Sequence, residues 1–248
     1  MDANEFLRRV DDLADRAERR GIVTRTGFLT PAEQYMLRQY YKGDNLVLTG
    51  GQPDCERQAA FFLPDFLDPE QFDPAEFLCA VKIEAHFGSP GHRDYLGAVL
   101  GLGIVREAVG DIRIFGETAY LFCLPTVETV LIKELKKVGH ISVTAAHYIL
   151  EDVPAAAINI KVRKISFTVK SLRLDAVAGP MFGMSRTAAA DLIRMGAASL
   201  NYTLCERTDA PVKEGDIISL RGHGKGCLKT VGGRSRKDRL FVEAEVYL

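Results

Sequence analysis

Near the start of the chain, Phe6, Val10, Leu13 and Ala17 recur at three- and four-residue steps among charged neighbours. That period predicts an amphipathic helix, with Gly21 as its C-terminal stop. A second helix is predicted from Thr30-Pro31-Ala32-Glu33: Thr30 can cap the free amides, Pro31 suits the first helical position and Glu33 completes a capping box. Gly43 is expected to end it. Leu46-Val47-Leu48 reads as a short strand running into Gly50-Gly51, and Asp54 can cap another short helix. Pro64, Pro69 and Pro74, with acids between them, mark a boundary.

From Leu78 to Tyr148 the pattern becomes strand, helix, strand, strand, helix, strand. The strands are Cys79–His86, Asp111–Phe115, Ala119–Leu124 and Ile141–His147; the helices are His92–Leu102 and Val127–Val138. This ferredoxin-like or RRM-like order builds a four-stranded antiparallel sheet with both helices on one face. Phe115, Tyr120 and Phe122 are the candidates for base stacking on the other face, but they lack a basic, glycine-flanked setting and packing is the role favoured for them. His92-Arg93-Asp94 invites comparison with a kinase catalytic loop, but Val99 stands where that motif needs an Asn. The segment reads instead as a helix start with Tyr95, Leu96, Val99 and Leu100 on a buried face and Gly97, Gly101 and Gly103 allowing close backbone approach.

In the last third, residues 161–170 alternate like a strand that links the halves or forms an edge. Ser171–Asp175 opens a short helix that stops near Gly179-Pro180. Ser185 is a natural cap for the next helix, which has Ala189, Leu192 and Ile193 inside and closes at Gly196. Arg186 and Arg194 lie about two turns apart on a similar outer face. Short strands follow at Ser199–Asn201, Thr203–Cys205 and Ile217–Leu220, with a turn at Lys213–Asp216. Arg221–Gly226 and Gly232–Arg239 read as glycine-rich turns crowded with positive charge, and Leu240–Leu248 as a final alternating strand. The expected class is α+β: an N-terminal α-rich domain over 1–75, an RRM-like domain over 76–160 and a third domain over 161–248.

The 248 residues are 47% apolar, enough for real cores, and contain no run long enough to span a membrane. The acid-rich start is unlike a signal or transit peptide, so a cytoplasmic location is expected. Five scattered cysteines without a C-x-x-C pair suggest neither disulfides nor a zinc site. Charge changes the picture more. Residues 1–160 hold 16 Lys/Arg against 24 Asp/Glu, whereas 161–248 hold 16 against 9, so a net charge of −1 conceals halves of −8 and +7. A basic module of this kind suits phosphate binding, because neutralising phosphates releases condensed counterions.

Five ordered pieces carry a resemblance: Arg173-Leu174-Asp175, Ser185-Arg186, Leu192-Ile193-Arg194-Met195-Gly196, Asn201 and Lys213-Glu214-Gly215-Asp216. Together they resemble the S4 RNA-binding domain. That resemblance implies phosphate or sugar contacts from Arg173, Arg186 and Arg194, helped by Ser185, Thr187 and Lys213, with Asp175 structural and Asp216 shaping the turn. The cations further along, Arg221, His223, Lys225, Lys229, Arg234, Arg236, Lys237 and Arg239, are candidates for additional RNA contact. The alternative for Arg173 and Arg194 is simple pairing with Asp175 and Asp191.

Beyond that domain, Phe28-Leu29-Thr30-Pro31, Gly50-Gly51, Cys55-Glu56-Arg57, His92–Gly97, Leu102-Gly103-Ile104 and Gly110-Asp111-Ile112 look like the YlmH-type family of S4 proteins. The resemblance implies association with large-subunit rRNA, tRNA and the large ribosomal subunit during rescue of stalled translation. S4 domains are also appended to enzymes, but residues 1–160 carry no nucleotide-binding loop, G-x-S-x-G or H-E-x-x-H motif. A non-catalytic protein without cofactor or metal is therefore expected. An adaptor whose acidic half, 1–160, binds a protein partner stays open beside it.

Overall fold

A computed structural model describes residues 2–53, 55–155, 162–235 and 237–247. The proposed Asp54 cap, Lys161 and Arg236 lie outside the described residues. The chain forms two compact units, Met1–Ala157 and Ile158–Leu248.

The first unit opens with α1 (Ala3–Arg20), which buries Phe6, Val10, Leu13 and Ala17 and closes on Gly21 at φ 61°. Strand β1 (Thr24–Leu29) precedes α2 (Pro31–Tyr40). Thr30 Oγ accepts the Glu33 amide at 3.3 Å and Glu33 Oε2 accepts the Thr30 amide at 2.7 Å, a complete capping box. The helix stops at Tyr40, short of Gly43. With β2 (Leu46–Thr49) and β3 (Gln58–Phe62), β1 forms an antiparallel sheet in the order β1-β3-β2. The N-terminal segment is thus mixed rather than only α-rich. Strand β3 gives no period-two signal because both its faces are apolar: Ala59 and Phe61 enter a central core, while Ala60 and Phe62 enter the core beneath α1.

Next come β4 (Cys79–Ala85), α3 (His92–Gly101), β5 (Val109–Phe115), β6 (Thr118–Cys123), α4 (Pro125–Glu134), β7 (Lys137–Val138) and β8 (Ile141–Tyr148). They build an antiparallel sheet in the order β5-β6-β4-β8-β7. Helix α4 starts at Pro125, a favoured first helical residue, and ends before Lys137-Val138, which pairs with Ile141-Ser142 instead of continuing the expected helix. Val81, Ile83, Tyr95, Val99, Leu121 and Leu131 share one core with Phe28, Phe61 and Leu63. Side chains from both sides of residue 75 therefore fill the same interior.

Two expectations for α3 fail. Leu100 is 37% exposed, and a Cβ at Gly97, Gly101 or Gly103 would have nothing within 4 Å, so no backbone approaches them.

The second unit begins with β9 (Val162–Val169), followed by α5 (Leu174–Met181), α6 (Arg186–Arg194), β10 (Ala198–Leu200), β11 (Thr203–Leu204), β12 (Ile217–Leu220), β13 (Gly224–Arg234) and β14 (Leu240–Tyr247). The strands form one antiparallel sheet in the order β11-β10-β12-β13-β14-β9. Helix α5 ends at Met181, one residue past the expected Gly179-Pro180 stop. Of the two expected glycine-rich turns, residues 221–223 and the hairpin tip after Arg234 are turns, but the glycines between them belong to one 11-residue strand, β13. Its glycines offer no side chains to reveal the alternation, and one has a packing reason: a Cβ at Gly226 would lie 2.7 Å from Met181 Sδ on α5. Val177, Met181, Ala189 and Ile193 pack on Leu228, Val242, Ala244 and Val246.

Candidate nucleic-acid interface

Asp175 sits in the first turn of α5 and is only 5% exposed. A buried carboxylate must be compensated, and two arginines do so. Arg173 Nε donates to Oδ1 at 3.2 Å, and Arg186 donates to Oδ2 through Nε at 2.9 Å and Nη2 at 2.8 Å. The arginine side chains remain 41% and 54% exposed. One acid thus fixes two guanidinium groups from different helix starts, leaving one net positive charge and outward N–H donors. The helices can approach because residue 179 is glycine: a Cβ there would lie 3.2 Å from Met184 O and 3.3 Å from the Arg186 backbone.

Ser185 caps α6, its Oγ accepting the Ala188 amide at 3.1 Å, and exposed Thr187 stands in the same first turn. Lys213 lies close by in the chain fold, since Arg173 pairs with Pro211 and the Val212 amide donates to Leu172 O. The Asp216 carboxylate shapes this turn, accepting the Lys213 amide at 2.8 Å and Asn201 Nδ2 at 2.9 Å. Sequence reading missed Arg207. Its side chain is 74% exposed, and its neighbour Thr208 accepts the Asp175 amide. The only sequence clue to this is the charge itself, because the loop's return to α5 is a long-range contact.

The remaining candidates divide by position. Arg194 stands about 12 Å along α6 from Arg186 and pairs with Asp191 at 2.8 Å. The simple pairings considered for Arg173 and Arg194 are thus both present. The Arg221 amide bonds Ala197 O, bringing the exposed turn that carries Arg221 and His223 near the exit of α6. Lys225 and Lys229 lie on the face of the sheet turned away from the helices, because their neighbours Gly226 and Leu228 face the core. Lys225 rests over Tyr202 and Tyr247, and Lys229 pairs with Glu245 at 3.2 Å, a hydrogen bond that raises the Lys229 pKa. At the hairpin tip Arg234 pairs with Asp238 at 2.7 Å, Arg239 donates to Thr168 O at 2.7 Å, and Lys237 is exposed.

In the first unit Arg57, Arg106 and Arg113 turn inward. Arg57 donates to Val109 O, Arg106 to Gly110 O, and Arg113 to Pro53 O and Pro154 O, and burial lowers the pKa of Arg57 and Arg106. Asp111 accepts the Glu56 and Arg57 amides at 2.6 and 3.0 Å. Of the aromatic candidates, Phe122 is fully buried beneath Arg113, and Tyr120 is 8% exposed between Phe115 and Tyr148. Among the described residues no group of three His, Cys, Asp or Glu could hold a metal, and no helix is long and apolar enough to cross a membrane.

This chain is 33% identical over 223 residues, covering 89% of it and 86% of the relative, to the "Ribosome-associated protein quality control protein P2" of Bacillus subtilis (strain 168). It belongs to the YlmH family. Residues 69–152 match the family described as "Putative RNA-binding domain in YlmH". The chain is also similar to the solved structure of the cell division protein ylmH from Streptococcus pneumoniae, at 22% identity and a TM-score of 0.47, covering 62% of this chain and 90% of that one. Two residues of the YlmH motifs have a structural role here: Asp111 and Arg57 tie the segment around β3 to β5.

Proposed function

We propose that this chain is a non-catalytic RNA-binding protein that acts at the ribosome in quality control of stalled translation. In this reading 76–160 is an RRM-like domain and 161–248 an S4-like domain that grips structured RNA by its phosphates, with large-subunit rRNA and tRNA as targets. The relative named for ribosome-associated quality control and the match to an RNA-binding family support the class. One observation carries the site: Arg173 and Arg186 are held side by side by the buried Asp175 with donors free to face outward. Planar guanidinium forks suit phosphate oxygens, and the first turn of α6 adds free amides and a positive dipole end. Ser185, Thr187, Lys213 and Arg207 border this pair; Arg194, Arg221 and His223 extend the surface to the other end of α6; Lys237 and its neighbours at the hairpin tip are outlying candidates.

The test compares R173A/R186A with K225A/K229A in sedimentation with ribosomal particles over a salt series. The first variant is expected to bind about tenfold or more weakly, as charged hydrogen bonds are lost, and to show a shallower salt slope by about 0.7 to 0.9 per phosphate contact. The second, on the opposite face of the sheet, is expected to change binding far less. Equal effects, or no effect of the first, would sink the assignment.

A further inference from the structure

The acidic first unit carries a local exception. Segments 86–93 and 136–142 contain Arg93, Lys136, Lys137, His86, His92 and His140 without an Asp or Glu of their own, flanked by Glu84, Asp94 and Glu134, in a half with 24 acids. The fold brings these distant segments together at one end of the five-stranded sheet. The His86 amide donates to Ser142 O at 3.0 Å, a Cβ at Gly88 would lie 3.3 Å from the Ile141 side chain, and Lys137 pairs across from Ser142. Helix α3, which begins at His92, packs beside β7. Phe87 stands here 82% exposed, the most exposed large hydrophobic residue described, and Arg93, Lys136 and Lys137 on the same joined segments are exposed as well. Among the described residues none of these three cations has a carboxylate partner; Lys136 donates only to Ile132 O, at 3.4 Å.

We infer that this corner is a second RNA contact, taking a single-stranded segment with one unstacked base on Phe87 and its phosphates on Arg93, Lys136 and Lys137. An exposed phenyl ring sharing one corner with three cations that lack carboxylate partners suits two features of an unpaired strand: a free base face and a dense row of phosphates. A duplex would hide the base face, and a cationic or apolar protein surface would leave the ring or the charges uncompensated. The site is distinct from the mostly buried Tyr120 and Phe122 on the sheet face. It rests on the RNA-binding reading above but not on the arginine pair of the second unit.

The full chain is titrated with a fluorescently labelled single-stranded RNA of about twelve nucleotides over a salt series, long enough to cover such a site. K136A/K137A is expected to weaken binding and to reduce the salt slope by about 1.4, two phosphates at about 0.7 each. F87A is expected to weaken binding about tenfold with the slope unchanged, since stacking carries no charge. Both losses should persist in an R173A/R186A background. All three residues are exposed, so unchanged circular dichroism is expected. Unchanged affinity and slope in both patch variants would overturn the inference, and if R173A/R186A alone lost binding, the arginine site would stand without it. Patch variants that bind RNA normally yet no longer sediment with ribosomal particles would mark a protein contact and would equally overturn it.

Discussion

Arg186 directs two nitrogens, Nε at 2.9 Å and Nη2 at 2.8 Å, onto a single oxygen of Asp175. The acid comes from α5 and the arginine from α6, so this contact sets the arginine relative to the neighbouring helix as well as to its own. It makes an acidic residue part of a surface proposed to bind a polyanion, and that arrangement has a consequence opposite in sign to simple charge counting.

Replacing Asp175 by Asn removes one negative charge beside the two arginines and keeps the side-chain shape. If bulk charge governed binding, D175N would bind RNA more tightly. If the carboxylate orients the guanidinium groups, as the geometry indicates, D175N should bind several-fold more weakly while remaining folded, because the charge-assisted bonds that hold both forks are lost. Direct titration with RNA at fixed salt distinguishes the two. Tighter binding would refute the orienting role.

Asp111 is expected to matter for stability and not for RNA. It accepts the Glu56 and Arg57 amides, and D111A leaves both donors without this partner. Water can reach the exposed Glu56 amide, so a loss of about 1 kcal/mol follows, the net worth of a typical hydrogen bond. Chemical denaturation should show the first unit's transition at lower denaturant, whereas RNA affinity of the folded protein stays unchanged. An unshifted midpoint would contradict the bridging role.

The thiols predict an alkaline weakness. Burial pushes Cys55 and Cys79 up to about 11 and raises Cys123 as well. Unfolded thiols ionise near about 8.5, so the folded state holds these protons longer. The associated stability is complete below the unfolded value and is lost as pH rises toward 11. Thiolate absorbance should therefore appear at higher pH in native than in denatured protein, and the melting temperature should fall across the same window. Coincident native and denatured thiol titrations would exclude this.

The helices of this protein were legible in its sequence because their signals are local. The stripe from Phe6 to Ala17, the Thr30 and Glu33 capping box and the Ser185 cap each involve residues within a few turns, and all three elements are present. Strand β3 was not legible, because a strand buried on both faces alternates in partner and not in polarity. Strand β13 was hidden for another reason: its glycines read as turns until β14 is seen lying beside it.

The charge division between the halves and the order of the basic motifs likewise belong to the sequence alone, since composition and spacing survive without a fold. Which cations stand together does not. Lys225 and Lys229 are as basic in sequence as Arg173 and Arg186, yet strand alternation turns them to the opposite face, where tyrosine rings and Glu245 engage them. Tertiary structure also joined the segment carrying Phe87 to the hairpin carrying Lys137, and brought the loop carrying Arg207 to the start of α5. Local preference determines what each segment becomes; burial and long-range pairing decide what each side chain meets.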